Sequence, residues 1–242
     1  MIYEATERDF ALDADDECLV RIQALYLAYG FVPFIRYYTD GYGCLMSVMD
    51  GVGIFYGASL SEEWQVFVQM NPDVSVLHCS ADNAAPLLSS GLWQGRVGDV
   101  MTRIAEENME DPSVDTSPSL PAVHQLLLHH FPGISPLESW YPDVSHRIRH
   151  GRGHIAAIRQ DDEVVSTALT VAETDTSAIL GQIATSTRFR RQGMAQRCIT
   201  TLFSACKGKK LYILPLNEFA KKLYEKLGFI TTGGWAELER TH

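Results

Sequence analysis

Arg190 and Arg191 stand just ahead of Gly193, and Ala195 follows two residues later. Before them runs an apolar stretch, residues 178–184, that reads as a strand; after them, residues 192–205 read as a helix. A strand, a turn with small residues and a helix N-terminus together make an anion site. Unpaired N–H groups and the positive end of the helix dipole face whatever binds there. Two arginines beside such a site suit a phosphate or pyrophosphate, because guanidinium groups pair with its oxygens.

The run Arg190-Arg191-Gln192-Gly193-Met194-Ala195 resembles the R-x-x-G-x-[GA] pyrophosphate loop of the GCN5-related N-acetyltransferase family. Downstream, Asn217, Ala220 and Leu223-Tyr224-Glu225-Lys226-Leu227-Gly228-Phe229 resemble that family's N-x-x-A-x-x-[LF]-Y-E-K-x-G-F signature. Between the two motifs lies an apolar strand, residues 210–214. The resemblance covers residues 122–242 and implies an α/β (α+β) domain with a mixed, mostly antiparallel twisted sheet flanked by helices.

The resemblance implies acetyl-CoA as co-substrate and an amine as acceptor. Main-chain groups of Ile183 and Thr185 would pair with the pantetheine arm and the thioester oxygen. The loop Arg190, Arg191, Gln192, Gly193, Met194 and Ala195 would hold the pyrophosphate, with Gly193 letting the backbone approach it. Tyr224 would act as general acid toward the leaving thiolate, a role suited to a phenol with a reference pKa of about 10. Asn217 would contact the pantetheine amide. Packing of Tyr224 on the inner face of its helix and N-capping by Asn217 are the plain alternatives.

The base is less defined. Where many family members carry a glutamate on the strand before the loop, this chain has Gln182, which cannot take a proton. Glu173, Glu138, His146 and a water relay remain candidates, Glu173 being taken as the base. Glu138, Trp140, Tyr141 and His146 fall in the segment expected to wall the acceptor, with core packing the alternative for the two aromatics. His146, His150 and His154 are spaced four apart, but interleaved arginines and glycines argue against a metal, and none is expected. His124, His129 and His130 read as helix-surface residues.

The elements that position these residues follow from periodicity. A helix is expected over residues 122–130. Ser135-Pro136-Leu137-Glu138 reads as a capping box opening a second helix that Pro142 interrupts. A meander follows over 154–159, 163–173 and 177–185, and strands at 229–231 and 235–238 close the sheet. In the first half, residues 16–29 read as a helix, and 44–49 with 52–56 as a hairpin about Asp50-Gly51. Residues 63–70 alternate like a strand, 74–79 form another, a short helix runs to Ser90, and 101–108 read as the tail of a helix.

Residues 74–92 faintly echo 211–229, with Leu87 or Leu88 where Tyr224 would stand. The first half is therefore expected to be a smaller α/β domain, a degenerate copy without a cofactor site. The Asp-, Ser-, Thr- and Pro-rich stretch after Glu106 suggests domains at 1–110 and 122–242 with a linker at 111–121.

The chain of 242 residues carries a net charge of −10, which argues against nucleic acid as a partner. Its basic residues concentrate near the motifs, from Arg188 through Lys226, as a polyphosphate ligand would require. Five scattered cysteines and a polar N-terminus point to the cytoplasm, and no run is long and apolar enough for a membrane span. The expected activity is acetyl transfer to a small-molecule amine or an N-terminal amine. A non-catalytic coenzyme A sensor or interaction module is the alternative, and transfer of longer acyl groups and a homodimer stay open.

Overall fold

The structure, a computed structural model, describes every residue except Ala14, residues 108–110 and His242. In chain order the elements are β1 (Tyr3–Glu4), α1 (Glu17–Tyr29), β2 (Arg36–Thr39), β3 (Leu45–Met49), β4 (Val52–Tyr56), α2 (Glu62–Met70), β5 (Val76–Ser80), α3 (Ala81–Ser89) and β6 (Trp93–Ile104). Then come α4 (Leu120–Leu128), α5 (Leu137–Arg149), β7 (Ile155–Gln160), β8 (Glu163–Glu173), β9 (Ser177–Thr185), α6 (Met194–Ala205), β10 (Lys210–Ile213), α7 (Glu218–Lys226) and β11 (Ile230–Arg240).

The chain divides into two compact units. One comprises residues 1–101, 214–217 and 231–242; the other comprises 102–213 and 218–230. The expected first domain ends within residues 108–110, which lie outside the described residues. The segment read as a linker is fastened to the second unit: Asp115 and Ala157 exchange two main-chain hydrogen bonds of 2.7 and 2.8 Å, and Arg197 Nε donates to Asp111 Oδ2 at 2.6 Å. No helix among the described residues is long and apolar enough to cross a membrane.

In the first unit, α1 begins where the Asp16 carboxylate accepts from the N–H groups of Cys18 and Leu19. It ends at Gly30, whose φ of 62° few other residues would tolerate. Asp50 and Gly51 both take positive φ, 49° and 81°, and join β3 to β4 in the tight hairpin expected of that dipeptide. Residues 63–70 are helical, not extended. Trp64 and Val68 fit either period, but Val66 is exposed, and the Ser61 hydroxyl caps the helix at Trp64 N.

Residues 101–104 belong to strand β6 rather than to a helix. Strand β11, expected to close the sheet of the C-terminal half, pairs antiparallel with β5 of the first unit, from Trp235↔Ser80 to Glu239↔Val76. The core here centres on Phe55 and Trp64, whose rings meet edge-on at 5.1 Å, with Leu77, Leu87 and Leu238.

In the second unit the strand order is β10-β9-β8-β7, antiparallel except for the parallel pair β9–β10. Helix α6 packs across β7, β8 and β9 with Cys198, Ile199, Leu202 and Phe203 buried. A separate core joins α4 and α5 to the sheet through Val123, Leu127, Trp140, Val144 and Leu169. The capping box is not formed, because α5 starts at Leu137 with Pro136 at its cap and no side-chain bond. Pro142 lies inside α5 without ending it. Burial of Trp140, Val144 and Arg147 on one face holds the helix past the missing bond.

The strand–helix–strand–helix order β4-α2-β5-α3, with β4 and β5 parallel, repeats as β9-α6-β10-α7. The echo between residues 74–92 and 211–229 is therefore structural. Leu87 is the seventh residue of α3, as Tyr224 is of α7.

Trp64→Ala should destabilise the protein by about 3–5 kcal/mol in urea denaturation, the usual cost of deleting a buried aromatic. A loss below about 1 kcal/mol would contradict its place at the centre of this core.

Candidate active site

Strand β9 stops pairing with β10 partway along its length. Parallel pairing runs from Lys210↔Ser177 to Ile213↔Leu180 and ends there. On its other edge, Gly181 faces Leu169 and Ala184 faces Thr167, so Gln182 and Ile183 together oppose Ala168. This is a β-bulge, and Gln182 carries its strain with φ at 49°. Beyond it, the edge of residues 181–185 on the β10 side has no strand partner among the described residues, and Ile183 and Thr185 are both half-buried there.

The strand then enters the arginine turn. Arg191 has φ of 63° and Gly193 of 75°, so the chain doubles back twice before α6 begins at Met194. Gly193 caps α6 without any side-chain bond, and a Cβ placed on it would meet no atom within 4 Å. The first amides of α6 therefore lack intrahelical partners and face an open surface formed by exposed Gln192 and Gly193. Such a helix end, with backbone N–H groups converging through a turn, suits an anion. Met194 itself is buried, so it can offer this surface only its N–H; Ala195 is half-buried.

The basic residues that crowd the sequence separate in space. Arg190 Nε donates to Thr185 O at 3.2 Å, and its Nη2 donates to His130 Nδ1 at 3.4 Å, fastening the turn to the strand end. Arg197 is committed to Asp111, and Lys207 to Glu107. Lys209 and Lys210 lie at the start of β10, opposite the turn. Arg188 and Arg191 are exposed on the turn, and the Arg188 guanidinium lies 5.6 Å from the Phe189 ring.

Tyr224 lies on the buried face of α7, its ring 6.1 Å from Phe229. Burial pushes its hydroxyl up to about 12, so it keeps its proton through the neutral range. Asn217 directly precedes α7 and is exposed.

Of the acceptor-side candidates on α5, Trp140 is bonded to β9: its Nε1 donates to Gln182 Oε1 at 3.0 Å. Glu138 is exposed in the first turn, Tyr141 is partly exposed, and the rings of His146 and His150 lie 4.1 Å apart. His124 is not a surface residue. It is buried, bonds Ser135 O through Nε2 at 2.9 Å and lies 5.1 Å from the Trp140 ring. Its place beside Leu120, Val123 and Leu127 on the apolar stripe of α4 was the available signal. His130 is half-buried, and burial together with Arg190 and His129 lowers its pKa.

The structure does not bring Glu173 to this place. Glu173 pairs with Ala178, five residues before Ile183, which is roughly 16 Å at the rise of a strand. It is buried and saturated, with Lys209 Nζ at 2.8 Å, His154 Nε2 at 3.3 Å and the Thr170 hydroxyl donating at 3.1 Å. Burial alone would raise its pKa, but His154 and Lys209 outweigh it, so the group is held low. His154, spaced four residues from His150, is thus turned to a carboxylate.

Two groups among the described residues have metal-ligand composition, Glu17 with Cys18 and His78, and His154 with Glu173 and Cys206. In each, a cation already holds the carboxylate, Arg21 in one and Lys209 in the other.

The matching turn of the first unit is closed by its own side chains. Asn83, buried in α3, accepts from Leu60 N at 2.8 Å and donates to Gly57 O at 2.9 Å. The Ser61 hydroxyl caps α2.

The sequence profile described as GNAT acetyltransferase matches residues 124–237, just under half of the chain. A solved Drosophila protein is 12% identical with a TM-score of 0.66, covering 99% of this chain and 98% of that one. A GCN5-related N-acetyltransferase from Sphaerobacter thermophilus is 14% identical, TM-score 0.59, covering 97% and 88%. A tandem GNAT protein from the clavulanic acid biosynthesis pathway is 10% identical, TM-score 0.58, covering 93% and 88%. These likenesses span both units and show that the first unit too has the GNAT-like fold. No curated protein sequence matches the chain significantly.

Glu173→Gln should lower stability at neutral pH without changing affinity for acetyl-CoA. A carboxylate held low stabilises the fold above its unfolded pKa, near 4.5, and loses that contribution as pH falls through the lower folded value. Denaturation curves of wild type and variant should therefore converge as the pH drops below about 4. A pH-independent gap would show that the carboxylate charge contributes nothing.

Proposed function

Given that the C-terminal half of this chain belongs to the GCN5-related N-acetyltransferase (GNAT) family, we propose that the protein is an acetyl-CoA-dependent N-acetyltransferase acting on a primary amine. The observation that carries this reading is the continuous path formed by an unpaired, bulged strand edge leading into an open, uncapped helix N-terminus. The amides from Gln192 to Ala195 hold the pyrophosphate, with Arg191 and Arg188 adding charge. The main chain at Ile183 and Thr185 lines the pantetheine arm.

Acetyl-CoA supplies an activated thioester. The amine attacks the carbonyl directly, the C–S bond breaks, and Tyr224 donates toward the departing sulfur from the inner face of α7. Its raised pKa makes it a hydrogen-bond donor that stays protonated rather than a strong acid. Glu173, far along the strand and already paired, does not serve this scheme as a base, and a water relay takes the ammonium proton. Arg190 acts as a fastening for the turn. The acceptor is a small-molecule amine or an N-terminal amine, reached from the side of α5.

Titration calorimetry should show acetyl-CoA binding one site per chain in the micromolar range, as is common for enzyme substrates. Gly193→Glu should abolish it by placing a negative side chain at the phosphate position and straining φ. Tyr224→Phe should bind normally and turn over about tenfold more slowly, the scale of one lost hydrogen bond to the departing sulfur. Binding untouched by Gly193→Glu would sink the placement of the loop. Binding without turnover of any amine would favour a coenzyme A sensor instead.

A further inference from the structure

Gln182 stands where a carboxylate base would be expected under the acetyl-transfer reading, and its side chain is held in one orientation. The Trp140 indole can only donate, so the atom it meets at 3.0 Å must be the amide oxygen. Trp140 is buried and packed against His124, which is itself tied to Ser135 O, so the donor is rigid. With Oε1 engaged, the two N–H groups of Gln182 Nε2 have no acceptor among the described residues. The residue is half-buried on the bulge, on the face of β9 turned to α5.

A neutral, oriented pair of N–H donors could only tie up the lone pair with which an amine attacks, and it offers nothing to the N–H groups of an ammonium. It calls for an oxygen. We infer that Gln182 selects the acceptor: its Nε2 donates to a carbonyl or carboxylate oxygen one carbon from the reacting amine. The acceptor class is then the α-amino carbonyl compounds, amino acids or peptide N-termini, rather than simple alkylamines or lysine-like side chains. The same amide gives no charge attraction to an ammonium ion, which disfavours substrates recognised by their cation alone. Trp140 is the positioning residue, since it fixes which end of the amide faces the acceptor. This inference rests on the acetyl-transfer reading.

The test compares initial rates with the L-amino-acid amides and with the matching alkylamines that lack the carboxamide, using acetyl-CoA and the full chain. Wild type should acetylate members of the amide set with kcat/KM at least about tenfold above their alkylamine counterparts, the effect of one well-placed hydrogen bond. Gln182→Leu and Gln182→Glu should erase that ratio, mainly through KM. Trp140→Phe, which keeps the ring but frees the amide to turn, should reduce it partly. Calorimetric affinity for acetyl-CoA should stay within about twofold in all three, which separates selection from misfolding.

Equal turnover of amides and alkylamines by wild type would overturn the inference and leave acetyl transfer standing. A fall in kcat common to both sets in the Gln182 variants would also overturn it, by placing the donor on the thioester rather than the acceptor. No acetyl-CoA binding at all would remove the reading beneath it. Binding without turnover of either set would overturn the inference and leave a cofactor-binding protein.

Discussion

Gln182 holds a backbone conformation that costs an L residue about 1–3 kcal/mol, and the second unit is built around keeping it there. The bulge turns the end of β9 away from the line it shares with β10, leaving main-chain groups exposed on one edge. An edge of that kind is normally a liability, because it invites any extended chain to pair with it. Here the strand runs at once into the arginine turn, so what the edge offers is short and leads to the uncapped start of α6. The bond from Trp140 offsets part of the strain and ties it to α5, and the bond from Arg190 to Thr185 O fixes the strand's last residue. Strain, edge and helix end are one device.

The two units carry the same order of elements with different hydrogen bonding at the matching turn. Both carry the parallel strand–helix–strand–helix order, and both have a turn leading into a helix. In one, a glycine begins the helix and nothing fills the space before it. In the other, a serine caps the helix and an asparagine bridges the turn. The Ser61 and Asn83 side chains already engage main-chain groups of that turn, and a ligand there would have to compete with them. The architecture is common to both; the chemistry depends on which backbone groups stay unpaired.

Much of this was legible in the sequence where a residue type has a single physical use. Asp50-Gly51 forms its hairpin, Gly30 closes its helix, and Gly193 takes its left-handed turn because few other residues tolerate those angles. Errors arose where two patterns share residues. Trp64 and Val68 fit a strand or a helix equally, and only Val66 distinguishes them. Pro142 reads as a break because the cost of its ring is local, whereas the burial that outweighs it comes from Trp140 and Val144. The sequence crowding of lysines and arginines said nothing of direction, since partners such as Asp111 and Glu173 lie far away along the chain. Glu173 illustrates the limit most plainly: its residue type suits a base, but only the strand register shows that it sits at the other end.

The assignment of β11 to the first unit bears on how the chain comes to be made. Strand β5 precedes the second unit in the chain, yet the partner that covers its open edge, Trp235 to Glu239, follows that unit. Until then the first unit carries an unpaired strand edge and an incomplete core around Leu77 and Leu238, the features that make nascent chains prone to association. The second unit, with its helices and sheet strands contributed by residues between those two segments, can close sooner. Because those closing residues follow the whole second unit in the chain, the first unit is completed only after the second has been made.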